Sequence, residues 1–115
     1  MEAVTEVFKT EWFSIDAVPQ KNQQPYYRLS CNDSVVTLAL TADQQLINIR
    51  QYRPAIDGFM LEWPAGLVDD GETPAQAAQR ELMEETGYRC DSLEFVGSFR
   101  VLPCRVKSSV HFFFG

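Results

Sequence analysis

Hydrophobic and polar positions change their period along the chain, and the changes mark its elements. Val7 to Val18 is rich in β-branched and aromatic residues, which suits one strand or two, and Gln20 to Pro25 is a polar turn. Tyr26–Ser30 and Val35–Leu40 read as strands on either side of the turn Cys31-Asn32-Asp33-Ser34. Thr41 to Gln45 is a hairpin-like connection into Leu46–Arg53, a strand of imperfect alternation that Pro54 ends. Phe59–Trp63 is a further short strand, closed by Pro64-Ala65-Gly66, and Leu93–Val101 and Val110–Phe114 are strand-like as well.

One segment has the helical period. Thr73 is a good N-cap, Pro74 fits the first helical position, and Gln76 completes a Thr-x-x-Gln capping box. Ala75 to Thr86 are mostly strong helix formers, and Gly87 suits the left-handed position that closes a helix. Many strands, one helix, then more strands predict an α+β fold with a mixed or antiparallel sheet. A length of 115 residues predicts one domain over 1–115.

Charge sharpens the picture because it is concentrated. The net charge is −6, yet residues 66–88 alone hold six acids and one base. The rest of the chain is nearly neutral, which argues against a nucleic-acid partner drawn by a basic surface. No stretch is apolar for the roughly 20 residues a membrane span requires, so no membrane partner is expected. Cys31, Cys90 and Cys104 show no paired spacing, which predicts small packing groups in a reducing, cytoplasmic setting rather than disulfides or a zinc cluster.

The acidic cluster lies on the helix. With about 100° per residue, Glu85 lies about 40° to one side of Glu81 and Glu84 about 60° to the other. Ala75, Ala78, Leu82 and Thr86 fall on a neighbouring arc, the expected core stripe, which the glutamates flank. Three carboxylates in the last turns oppose the helix dipole by about 0.3–1 kcal/mol each. Glu81 and Glu85 also repel at i,i+4, and Arg80 offsets only one of the three. A carboxylate cluster of this kind suits a hard cation such as Mg²⁺ or Mn²⁺, and Mg²⁺ in turn suggests a phosphate-bearing substrate.

The segment Gly66-x5-Glu72-x7-Arg80-Glu81-Leu82-x-Glu84-Glu85-x-Gly87-Tyr88 resembles the Nudix box, GX5EX7REUXEEXGU, with every fixed letter matched and Tyr88 a mild departure. The resemblance implies an α/β/α sandwich with a mixed sheet. It implies metal-dependent hydrolysis of a nucleoside diphosphate linked to another moiety, to a nucleoside monophosphate and a second phosphate. By position, Glu81 and Glu85 would be the principal metal ligands. Glu84 would ligate a further metal or position water, and the Ala65 carbonyl would complete the shell. Arg80 would orient Glu84 and Glu72, while Gly66 and Gly87 would serve backbone geometry.

Upstream, Gln51-Tyr52-Arg53-Pro54 and Leu61-Glu62-Trp63-Pro64-Ala65-Gly66 resemble the ADP-ribose pyrophosphatase branch, as does the position of Pro103. That likeness implies a nucleotide-sugar substrate, ADP-ribose first, with Arg53 near substrate phosphate and Glu62 near the ribose. The plain alternative is a strand-end arginine and a structural salt bridge. The branch also implies a homodimer in which N-terminal aromatics sandwich the base, with Trp12, Phe13, Tyr26 and Tyr27 as candidates.

Two departures stand out. The branch supplies a downstream glutamate, often as the base, but here no acid follows Glu94; Arg100, Arg105, Lys107 and His111 are the ionisable groups left. A second helical layer is also missing, so the fold is expected to be short at its C-terminal side. A weak or inactive nucleotide- and metal-binding relative is therefore the alternative function. His111 is expected in a strand pair rather than at the phosphates. The apolar strand Val110–Phe114 is expected to need cover, from a partner subunit.

Overall fold

The capping residues fix where the helix begins. In a computed structural model that describes residues 3–115, α1 spans Pro74–Thr86. The Thr73 hydroxyl accepts the Gln76 N–H at 3.1 Å, and the Gln76 side-chain oxygen accepts the Thr73 N–H at 2.9 Å. Gly87, at φ 74°, ends the helix by donating its N–H to the Met83 carbonyl. A side chain there would face the cost of the left-handed region.

Strands β1 (Thr5–Lys9), β2 (Ser14–Val18) and β3 (Tyr26–Ser30) form an antiparallel meander. Its one buried carboxylate, Asp16, accepts hydrogen bonds from Ser14, Ser30 and Arg28. β4 (Ser34–Leu38) follows, then a hairpin of β5 (Ile49–Arg53) and β6 (Gly58–Glu62) around a 3-10 turn at Pro54–Ile56. β7 (Ala65–Leu67), β8 (Glu94–Phe99) and β9 (Val110–Phe114) complete the set. The central sheet has the order β7-β4-β9-β8 and is mixed, because β4 and β9 run parallel while the other pairs are antiparallel.

Helix α1 packs on β4, β7 and β9, and the core between them is Val35, Ala77, Ala78 and Phe113, with Leu82 also buried. The opposite sheet face carries no helix among the described residues. It opens onto an apolar recess of about 480 Å³ lined by residues that include Trp63, Phe99, Phe112 and Phe114. The radius of gyration is 16.9 Å, well above the ~13 Å of a compact chain this long.

Several expectations need correction. The core stripe of α1 does not run through Ala75, which is exposed; it includes Ala77. The stripe is thus turned by about 60° toward Glu81 and Glu85, which become half-buried members of the contact face rather than its flanks. Pro64-Ala65-Gly66 does not merely close a strand, since Ala65 and Gly66 begin β7. The strand expected from Leu46 starts at Ile49, because Leu46 instead bridges Leu40. Val110–Phe114 is an interior strand with both edges paired within the chain; only its outward face is open. Cys104 is exposed rather than packed.

Candidate metal centre

The centre is built where α1 crosses β7. β7 pairs with β4 through Gly66↔Val35 and Ala65↔Val36, so its backbone is held in place. Glu81 lies directly against Gly66: a Cβ added at that position would fall inside the Glu81 carboxylate. One turn later, Glu85 accepts the Ala65 N–H at 2.8 Å. The segment Ala65-Gly66 therefore carries two carboxylates on its backbone, and any side chain at the second position would displace the Glu81 carboxylate.

Arg80 organises the other acids. Its guanidinium donates to both oxygens of Glu72, at 2.8 and 2.9 Å, and to the Leu67 carbonyl at 3.1 Å. It also donates to Glu81 at 2.8 Å and reaches Glu84 at 3.3 Å. Glu72 further accepts the Asp69 N–H at 3.0 Å. The residue expected to orient Glu84 and Glu72 thus holds Glu72 best, Glu81 next and Glu84 least. The Arg80 hydrogen bonds, with help from the Asp69 N–H, hold the Glu72 carboxyl down at about 2. The same contacts, Glu72 foremost, raise the guanidinium's proton affinity further.

Glu85 responds in the opposite sense. Burial raises its pKa above the usual carboxylate range, the Ala65 N–H opposes that shift, and the nearby Glu81 charge adds to it. Arg53 and Glu62 also lie within electrostatic reach of Glu85, the first lowering and the second raising its pKa. Arg53 and Glu62 are bonded to each other by two hydrogen bonds of 2.8 and 2.5 Å. The hairpin β5–β6 thus brings this ion pair toward the helix carboxylates. Of the two readings of Arg53 and Glu62, the salt bridge is formed.

Oxygen donors of this kind fit a hard cation. Mg²⁺ characteristically takes one or two protein carboxylates and completes its shell with water and substrate phosphate. Glu81 and Glu85 are two carboxylates on one short segment of backbone, and no group of three or more His, Cys, Asp or Glu side chains is gathered for a metal among the described residues. Glu84 stands apart from the pair, with its side chain 57 % exposed.

The remaining candidates separate from this centre. His111 sits in β9 opposite Ser98, with one ring nitrogen 2.5 Å from the Ser98 hydroxyl and the other 2.8 Å from Asp33. Both nitrogens are occupied, as expected of a strand-pair histidine. Trp12 is exposed, Phe13 packs near Phe8, and Tyr26 and Tyr27 are exposed on the meander. Sequence reasoning passed over Asp69, whose carboxylate lies 3.4 Å from Arg80, and Asn32, which ties the Val68 carbonyl and Asp70 to the turn between β3 and β4. Only the density of acids around 69–72 hinted at the first.

The sequence pattern of the NUDIX domain matches residues 31–114. The chain belongs to the Nudix family. The ADP-ribose pyrophosphatase of Bacillus subtilis (strain 168) is 36% identical over 80 residues, 70% of this chain and 43% of that protein. The methanol dehydrogenase activator of Bacillus methanolicus is 35% identical over 80 residues, again 70% and 43% of the two chains. A crystal structure of an ADP compounds hydrolase matches with a TM-score of 0.82 at 27% identity, over 98% of this chain and 64% of that one. The chain thus spans less than half the length of these two curated relatives. The mixed sheet and single helix are those of a Nudix fold, and Nudix hydrolases as a group work with divalent cations. No helix among the described residues is long and apolar enough to cross a membrane.

Proposed function

We propose that this Nudix chain carries the catalytic centre of a metal-dependent hydrolase. Its substrate is a nucleoside diphosphate linked to a sugar, ADP-ribose first, and its products are a nucleoside monophosphate and a sugar phosphate. The observation that carries the reading is the pair Glu81 and Glu85 seated on the Ala65-Gly66 backbone. Similarity to proteins named ADP-ribose pyrophosphatase and ADP compounds hydrolase supports the substrate class.

Glu81 and Glu85 would hold Mg²⁺ or Mn²⁺, with the Ala65 carbonyl beside them. A bound cation neutralises phosphate charge, fixes in-line geometry and acidifies water. Glu84, on the exposed side, would hold a further cation or position the attacking water, whose proton passes to a carboxylate of this cluster. Arg80 keeps Glu72 and Glu81 in place, and Gly66 leaves room for Glu81. Arg53 and Glu62, within electrostatic reach of Glu85, would be the substrate-facing pair, Arg53 toward phosphate and Glu62 toward the ribose.

The test is Glu85→Gln assayed on ADP-ribose with Mg²⁺, following AMP. Turnover should fall by at least about a hundredfold while the fold is kept, and unchanged turnover overturns the assignment. A second reading, a binding protein without turnover, is favoured by the loop 100–109, which carries Arg100, Arg105 and Lys107 and no acid. Calorimetric nucleotide binding without product under Mg²⁺ or Mn²⁺ would select it.

The proposal includes a single domain, a cytoplasmic location suited to three free cysteines, and a homodimer. A second copy would cover the apolar recess beside β9. Its rim exposes Trp63, Val96, Phe99, Val101 and Phe114, large apolar side chains of the kind an interface buries. Sedimentation of the wild type as a monomer at high concentration refutes the dimer.

A further inference from the structure

A second charged site lies away from the Nudix helix, and its sign is opposite. Between β3 and the β8–β9 connection is a cavity of about 300 Å³, lined by Arg28, Arg100, Arg105 and Lys107 among others, with no acid in its wall. The chain as a whole carries −6, so four bases and no acid in one cavity is a marked reversal. Only Arg28 is neutralised, by Asp16 at 3.1 Å. Among the described residues, Arg100, Arg105 and Lys107 have no carboxylate within salt-bridge distance.

The guanidinium groups are nevertheless held. Arg105 donates to the Tyr27 carbonyl at 2.6 Å, and its charge lies 4.7 Å from the centre of the Tyr26 ring. The Tyr26 hydroxyl in turn donates to the Cys104 carbonyl, and Arg100 donates to the Lys107 carbonyl. The loop itself is stitched to β3 by Leu29 N–H to the Arg105 carbonyl at 2.8 Å and Lys107 N–H to the Leu29 carbonyl at 2.9 Å. Neutral carbonyls and a ring thus fix where the donors point without forming an ion pair, and the nearest charge compensation is Asp33, which feels Arg100 only at long range. Crowded like charges oppose folding, whereas a solvated surface base gains nothing from being oriented. Oriented guanidinium groups held outside ion pairs have the geometry that recognises oxyanions. The volume lies at the small end of ligand sites.

We propose that this cavity binds a phosphorylated small molecule through Arg100, Arg105 and Lys107, independently of the cation held by the Nudix carboxylates. The shared chemistry is a multiply charged phosphate group, whether it belongs to the hydrolysed substrate or to a separate effector.

The experiment is calorimetric titration with inorganic pyrophosphate in the presence of EDTA, which removes any cation-mediated binding at Glu81 and Glu85. Wild type should bind saturably, and Lys107→Glu should weaken binding at least tenfold. Lys107 is exposed, so the variant should melt as wild type does; Lys107→Gln, expected to weaken binding less, serves if it does not. Lys9→Glu makes the same charge change on β1 and should leave binding within twofold. No saturable binding by wild type, or equal losses in Lys107→Glu and Lys9→Glu, overturns the proposal and leaves the hydrolase reading untouched. In turnover assays, a raised KM with unchanged kcat in Lys107→Glu identifies the ligand as substrate. An unchanged KM together with weakened pyrophosphate binding identifies it as an effector.

Discussion

Replacing Gly66 by alanine tests the packing of the centre most directly. The added methyl would land on the Glu81 carboxylate. β7 cannot retreat, because Gly66 is paired with Val35, a fully buried residue of β4. Helix α1 cannot lift, because Ala77, Ala78 and Leu82 anchor it in the core. The Glu81 side chain must therefore swing away and give up its 2.8 Å contact with Arg80. Overpacking of this kind costs about 1–3 kcal/mol. For a chain of this size that is a fall in Tm of roughly 4–12 °C. The assay is thermal unfolding of Gly66→Ala, Glu81→Ala and the double variant. With Glu81 cut back to alanine, the new methyl has space, so Gly66→Ala should then cost no more than about 0.5 kcal/mol. The same cost in both backgrounds would refute the reasoning, since the clash would then lie with the backbone. Stabilisation by added Mg²⁺ should also shrink in Gly66→Ala.

Two further outcomes follow from other contacts. Leu82→Ala empties a site that is 1% exposed and should lower stability by about 2–5 kcal/mol in urea unfolding, with little change in slope; a loss below 1 kcal/mol would show that the helix face collapses to fill it. Glu72 has its folded-state pKa depressed to about 2 from an ordinary value of 4.5, so its contribution is fully present above pH 4.5 and is lost as pH falls toward 2. Glu72→Gln should therefore flatten the acid side of the stability–pH curve, and an unaltered curve would mean the contact with Arg80 survives in the unfolded chain.

What was legible in the sequence was local. The Thr73–Gln76 capping box and Gly87 act within one turn, so both ends of α1 could be read from neighbouring residues. Tyr26–Ser30 and Val110–Phe114 were legible as strands because their residue types favour the extended chain. β7 was not, because Ala65-Gly66-Leu67 has no strand preference and is extended only because β4 pairs with it. The phase of α1 was misjudged for a related reason. Hydrophobicity put Ala75 inside, but docking on β7 places Glu81 and Glu85 in the contact face and turns Ala75 out. The helix glutamates were legible from their spacing, and the roles of Glu72 and Arg80 from the likeness to the Nudix box. Their uneven sharing of Arg80, and the pairing of Arg53 with Glu62, depend on where the hairpin and the 69–72 turn come to rest.

The parallel pairing of β4 with β9 also governs how the molecule is made. Asp33 and Ser109, at the mouth of that pair, are hydrogen-bonded across 76 positions of chain. During synthesis β4 emerges long before its neighbour exists, so one of its edges stays open while the hairpin and α1 are already out of the ribosome. Closing so long a loop carries an entropic cost that must be met before the pairing stabilises the fold, which slows folding relative to a fold of local contacts. Through that interval Val35–Leu38 is an unpaired apolar edge, the segment most in need of a chaperone.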